Sequence, residues 1–398
     1  MDAGIVATHI PPALGYGGVS VTMGVLTRAW AKLGHELTVV ASDESIAGRL
    51  RPEDANRFGH RVDVRLYRCY GFRRWGFGLG AIPELFRLCR EAPVVYIHGI
   101  ATWPCTLAAV FCGLLRRPFM VAVHGGLMPE HVALIRREKP HKWLYYQLLA
   151  LPTLRRAIAI HCTSDTEAEG VRAVLGGDAR ILLVPNGIDS RVYEAAGYPE
   201  TPGATLCFLG HIQREKGINA FIKAWLGVRG PDDRLIVAGR GVDGAYFEEF
   251  KGLVEQAEGA IDYRGYLDRA EVMGVLASSH FLVLPSGLEE SGGMRENFGN
   301  VVAEAMAMGR PVLVARGLAW DQLEFQGAGF VFDRNPASVR EALARAAALS
   351  RPDWERMSRT ARAYVKRNLD PVALGERVWR VLAGRGAAAP VGEACRHE

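Results

Sequence analysis

Long apolar runs are missing from this sequence, and so is any regular pattern of cysteine. The most apolar stretch, Leu107 to Leu115, falls well short of the roughly 18 residues that a membrane-spanning helix needs. The first residues, Met1-Asp2-Ala3-Gly4-Ile5-Val6-Ala7, carry no basic cluster and too short an apolar run for a secretory signal. The seven cysteines are odd in number and no two stand at Cys-x-x-Cys spacing. This argues against a disulfide framework or a zinc site and for a reducing, cytoplasmic setting. No Asp-x-Asp pair is present to hold a divalent ion, so metal-independent chemistry without a cofactor is expected. No nucleic-acid-binding module is recognisable either.

What is present fits a folded protein of more than one domain. The 398 residues are 49% hydrophobic and 23% charged, which suits packed cores, and the length favours two domains. Charge is unevenly placed. Residues 1–190 hold 22 Lys and Arg against 16 Asp and Glu, and the remainder holds 26 against 27. A basic first half suits an anionic partner, such as a phosphorylated acceptor or an anionic lipid surface, and also serves plain solubility.

Short β-rich runs alternate with helix-like segments, the signature of parallel βαβ units. Strands are expected at Ile5–Ala7, Leu37–Val40, Val62–Leu66, Val94–His98, Phe119–Val123, Ala157–Cys162 and Ile181–Val184. The apolar spacing from Val19 to Leu33 predicts a helix, with Gly34 at its end. The pattern stops at Pro185-Asn186-Gly187-Ile188-Asp189 and a polar, Gly- and Pro-bearing stretch follows. It restarts with strands at Leu206–Leu209, Leu235–Ala238, Ile261–Tyr263, Phe281–Leu284 and Pro311–Val314. The expected organisation is a first domain over 1–188, a linker over 189–203 and a second domain over 204–370. A helix over 371–385 returns to the first domain, and 386–398 form a tail.

The densest motif is Glu296-Asn297-Phe298-Gly299-Asn300-Val301-Val302-Ala303-Glu304, followed by Ala305-Met306-Ala307-Met308-Gly309-Arg310-Pro311-Val312. A glycine opens a helix directly after a strand, so the amides of Gly299, Asn300 and Val301 form a diphosphate site in waiting. The eight-residue offset, just over two helical turns, is expected to send Glu296 and Glu304 to the same side. A second loop, Gly210-His211-Ile212-Gln213-Arg214-Glu215-Lys216-Gly217, follows another strand, where glycines admit a phosphate and Lys216 neutralises it.

These motifs resemble retaining GT-B glycosyltransferases of family 4, over about residues 4 to 383. The resemblance implies an α/β fold of two Rossmann-like doubly wound domains facing a cleft. It implies an acceptor-binding first domain and a nucleotide-sugar-binding second domain. By resemblance, Glu296 contacts the donor hexose, Glu304 the ribose, and Lys216 the diphosphate. His211 stands where the family has arginine, with Arg214 nearby as a substitute. Gly17 and Gly18, in the first βα loop, lie near the donor phosphates, and His124, at a strand end, contacts the sugar. Phe298, Arg240 and Arg264 are further donor-side candidates. The link from Ser286 to Arg295 is longer than is usual in the family.

The implied activity is retaining transfer of a hexose from a nucleoside diphosphate to a glycan or lipid-linked acceptor, in assembly of cell-surface polysaccharide, lipopolysaccharide or glycolipid. Two alternatives are a sugar-nucleotide hydrolase or epimerase on the same fold, and a catalytically silent sugar-nucleotide-binding scaffold. The mixed basic and aromatic stretch Arg136 to Tyr146, with Arg155 and Arg156, suits a peripheral site on the inner face of the cell membrane, or a helix with a solvated basic face.

Overall fold

The computed structural model describes residues 1–13, 18–45, 48–55, 58–289 and 296–386. Two compact units result. One contains Met1–Ile188 together with the segment from Pro371, and the other runs from Asp189 to Asp370.

In the first unit, β1 (Ala3–Ala7), β2 (Leu37–Ser42), β5 (Val62–Tyr67), β6 (Val95–His98), β7 (Phe119–Ala122), β8 (Ala159–Cys162) and β9 (Ile181–Leu183) form one sheet. Its order is β5-β2-β1-β6-β7-β8-β9 and every pair is parallel. The two-residue strands β3 (Glu44–Ser45) and β4 (Gly48–Arg49) make a separate antiparallel pair. The central strands are buried along their whole length, which is why they read as continuous apolar runs without alternation.

The second unit repeats the scheme. Its strands are β10 (Thr205–Leu209), β11 (Arg234–Ala238), β12 (Ile261–Gly265), β13 (Phe281–Leu284), β14 (Val312–Ala315) and β15 (Gly329–Phe332). They follow the order β12-β11-β10-β13-β14-β15, all parallel. Strand β15 was not among the sequence expectations. Its four residues, Gly-Phe-Val-Phe, are too few to carry a pattern, and burial between β14 and the helix Pro336–Ala347 supplies the signal instead.

In each sheet the order reverses beside the first strand. β1 lies between β2 and β6, and β10 lies between β11 and β13. Ligands of doubly wound sheets bind at the carboxyl ends of strands at such switch points. Here those ends are His98 with the loop after Ala7, and Gly210 with Pro285.

Two connecting segments are each held by specific contacts. The stretch 189–203 is not a free linker but is held to the second unit. The buried Arg310 guanidinium donates to Gly197 O at 2.6 Å and to Ser279 O at 3.0 Å, Ala196 N donates to Met308 O, and Tyr198 packs on His280 and Trp354. The helix Pro371–Leu382 packs on the helix Gly18–Lys32, where Trp30 Nε1 donates to Gly375 O at 2.7 Å and meets Trp379 edge-on. The six described cysteines are buried free thiols. No helix among the described residues is long and apolar enough to cross a membrane.

Candidate functional site

In the second unit, three loops at the switch point are tied together by backbone. After β10, residues Arg214–Lys216 make one 3-10 turn and Gly217 follows at φ +65°. A side chain at Gly217 would run into Pro285 O and Leu288, so only glycine lets this loop lie against the end of β13. Gly287 N donates to Glu215 O at 2.9 Å, and Ile212 N donates to Arg240 O at 2.9 Å. The Gly210–Gly217 loop is thereby fastened on one side to Pro285–Leu288 and on the other to Gly239–Gly241.

On this frame Lys216 Nζ donates to the Glu296 carboxylate, and both side chains are about one-fifth exposed. Three residues later Gly299, at φ +72°, caps the helix Asn300–Ala307. That helix has neither a side-chain cap nor an acidic residue in its first turn. Its positive end therefore lies beside the Lys216–Glu296 pair without an acidic residue of its own first turn to match it. The helix begins at Asn300, with Glu296 ahead of it and Glu304 inside it, and the two carboxylates take different partners. Glu296 belongs with Lys216. Glu304 accepts from Tyr193 Oη at 3.1 Å, and Arg269 donates to Tyr193 Oη at 3.0 Å while its guanidinium lies over the Tyr193 ring. Desolvation raises the Glu304 pKa, opposed by Tyr193 and Arg269.

The remaining donor-side candidates occupy varied positions. Phe298 is buried, its ring tilted against Trp320 at 4.7 Å, and its carbonyl accepts from Trp320 Nε1; the side chain anchors the Gly299 turn. Arg214 faces Glu289 at 3.6 Å and the Tyr246 ring. His211 is exposed beside the Gly239 crossing. Arg240 lies over the Tyr266 ring at 4.4 Å. Arg264 pairs with Asp262 on the exposed face of edge strand β12, away from the Lys216–Glu296 pair in bonding terms. Gly18 opens the helix Gly18–Lys32 and is exposed, and Gly17 and the link 290–295 lie outside the described residues.

In the first unit His124 follows β7 at φ +45°, a strained backbone for a non-glycine residue. The next amide, Gly125 N, donates to the fully buried Glu167 carboxylate, whose other oxygen accepts from Thr163 N at 2.7 Å. This clamp from the β8 loop holds His124 in place. Its Nε2 lies 3.2 Å from His98 Nδ1. His98 Nε2 in turn reaches Val19 O at 2.9 Å, and His161 bridges Tyr96 Oη at 2.6 Å and Val184 O at 2.8 Å. Burial depresses the pKa of all three rings, to about 3 for His98, about 4 for His161, and well below the ordinary value for His124. His98 and His124 line an open pocket of about 240 Å³ at the ends of β1, β6 and β7.

Sequence reasoning did not find Tyr193, Arg269 or His161. Tyr193 lay in a stretch read as linker, and Arg269 opens a surface helix. Only tertiary packing puts either beside Glu304. Among the described residues, no group of three or more His, Cys, Asp or Glu is arranged to hold a metal ion.

Residues 17–187 match the Glycosyl transferase 4-like domain and residues 203–348 match Glycosyl transferases group 1, so two halves of one family pattern cover the two units in order. The chain belongs to glycosyltransferase family 4. The chain is 27% identical over 253 residues to the 2-deoxystreptamine glucosyltransferase of Streptomyces kanamyceticus, covering 58% of the chain and 62% of that protein. It is 31% identical over 177 residues to the phosphatidyl-myo-inositol mannosyltransferase of Mycobacterium leprae, covering 43% of the chain and 44% of the relative. The matched region thus spans about half the length of these relatives. In fold, the chain superposes on Anabaena HepE, solved with UDP and glucose, at a TM-score of 0.72 and 18% identity, over 96% of this chain and all of that one. The α/β, two-sheet GT-B architecture is shared.

Proposed function

We propose that this protein transfers a hexose, with retention of configuration and without a metal ion, from a nucleoside diphosphate sugar held by the second unit to a glycan or lipid-linked acceptor held by the first. The observation that carries this reading is the Lys216–Glu296 pair beside the uncapped, αL-glycine-initiated helix at Asn300. A diphosphate leaving group gains negative charge as the glycosidic bond breaks. A lysine and a helix N-terminus are the groups that stabilise such charge without reorganising. Glu296 supplies the opposite sign for an oxocarbenium-like sugar, and the departing phosphate oxygen takes the acceptor proton. The named relatives transfer glucose and mannose, which supports a hexose donor. Exposed Leu144 and Leu148, together with Arg136, Arg137 and Lys139, support peripheral attachment to an anionic membrane at the cytoplasmic face in cell-surface glycan or glycolipid assembly.

A thermal-shift screen against UDP-, GDP- and ADP-sugars tests the donor site, because a ligand of the folded state raises Tm. A shift with one nucleotide series and transfer of its labelled sugar to acceptor supports the reading. Release of free sugar or conversion to another sugar nucleotide, with no acceptor product, replaces transfer with hydrolysis or epimerisation. Absence of any shift in folded protein favours a silent scaffold.

A further inference from the structure

The first-unit pocket has a charge composition that its histidines alone do not explain. Its fifteen lining residues include Arg74, Lys142 and four histidines, and no Asp or Glu. Arg74 comes from the loop after β5, His131 from the helix Pro129–Glu138, and Lys142 from the helix Pro140–Tyr145, so three separate segments bring basic groups to one cavity. Neither Arg74 nor Lys142 has a carboxylate within ion-pair distance among the described residues.

Lys142 is half-buried, and desolvation and neighbouring Lys139 both lower its pKa. His131 Nδ1 is shut off from solvent with no hydrogen-bond partner, and desolvation, Lys142 and Lys139 push the ring down to about 4. A half-buried cation without a counter-ion, whose ammonium lies 5.8 Å from the Tyr146 ring centre, is unfavourable in the free protein. Such arrangements persist where a ligand supplies what is missing.

We propose that this pocket binds a phosphoryl group and that the acceptor is therefore a phosphate ester. A sugar hydroxyl cannot neutralise two cations, and a carboxylate brings one charge and two oxygens. A phosphate monoester brings close to two charges and three acceptor oxygens, which matches donors arriving from three directions. The pocket volume of about 240 Å³ leaves room for the group that carries the phosphate. That group lies beside His124, which lines the same cavity. The identification of the ligand as an acceptor rests on the transferase reading above, whereas phosphoryl binding itself does not.

The test uses the full chain with glycerol 1-phosphate, its diester glycerophosphoglycerol, glycerol and glycerate, read by histidine side-chain NMR and calorimetry. Glycerol 1-phosphate is expected to bind and to move the His131 resonances, and glycerol not to bind. The Lys142→Gln and Arg74→Gln variants are each expected to weaken binding about tenfold or more. Preference for the monoester over the diester supports the proposal, and equal binding of the diester, which like a carboxylate brings one charge and two free oxygens, overturns it. Equal binding of glycerate, or unchanged affinity in both variants, overturns it. So does failure of both phosphate esters to bind in protein that still shifts with a nucleoside diphosphate, which leaves the transferase reading standing. Phosphate-ester binding without any nucleotide shift leaves the pocket intact and removes that reading. Lys142→Met is expected to hold or raise Tm, since it removes an unpaired cation, whereas a structural lysine would lower it.

Discussion

His124 donates its Nε2 proton to His98 Nδ1 across 3.2 Å, and the direction of that bond is forced from a distance. Val19 O can only accept, so His98 carries its proton on Nε2, which lies 2.9 Å from that carbonyl. A neutral His98 then offers Nδ1 as an acceptor, His124 must hold its own proton on Nε2, and His124 Nδ1 is left with a lone pair. Val184 O fixes His161 in the same way, so Tyr96 Oη donates to His161 Nδ1. A two-bond proton–nitrogen NMR spectrum is expected to show His124 and His98 as Nε2–H tautomers at pH 7. An Nδ1–H pattern for His124 would exclude this arrangement.

The same burial predicts how stability depends on pH. His98 and His161 have folded pKa values depressed to about 3 and about 4 from 6.5, and that of His124 is depressed as well, desolvation being the main cause in each. The unfolded chain therefore takes up these protons first. Stability is full above about pH 6.5 and is lost as pH falls below it, at up to about 1.4 kcal/mol per pH unit for each histidine. Urea denaturation at pH 8, 6 and 5 should show this slope, and His98→Asn or His161→Asn should make it shallower. An identical slope in both variants would point to other groups.

The Lys216–Glu296 pair is argued to serve chemistry more than stability. Lys216→Met and Glu296→Gln are each expected to lower kcat by about a hundredfold or more. Stability should change by no more than about 1 kcal/mol, because both side chains remain partly in water. Wild-type turnover in Glu296→Gln would remove that residue from the mechanism.

Gly299 tests the helix terminus by backbone alone. At φ +72° a methyl group would sit 2.9 Å from Leu284 Cδ2 and 3.3 Å from Glu296 Cγ. Gly299→Ala is expected to cost about 1–3 kcal/mol and to weaken nucleoside diphosphate binding together with inorganic pyrophosphate binding. If pyrophosphate affinity is unchanged while Tm falls, the turn matters for folding and not for the anion.

Glu304 lies in a cluster of its own, with Tyr193 and Arg269. Glu304→Ala is expected to weaken a nucleoside diphosphate about tenfold while leaving inorganic pyrophosphate unaffected if the residue meets the sugar of the nucleoside, as the family resemblance implies. Tyr193→Phe should have a smaller effect in the same direction. Equal losses for both ligands would move Glu304 to the diphosphate side.

The sequence by itself determined the two parallel sheets, since strands buried on both faces must be apolar along their length, as Leu37–Val40 and Phe281–Leu284 are. It also determined the positions of Gly217 and Gly299, because glycine most easily meets the left-handed turns that bring these two loops to a strand end. Tertiary structure alone decided the rest. A local offset could not show that Glu296 would pair with Lys216. Nor could single positions far apart in the chain announce that Tyr193 bonds Glu304, that Val19 O sets the proton on His124, or that Arg74 and Lys142 share a cavity without an acid. These depend on distances across the fold, where desolvation and the available partners, more than residue type, decide what each group can do.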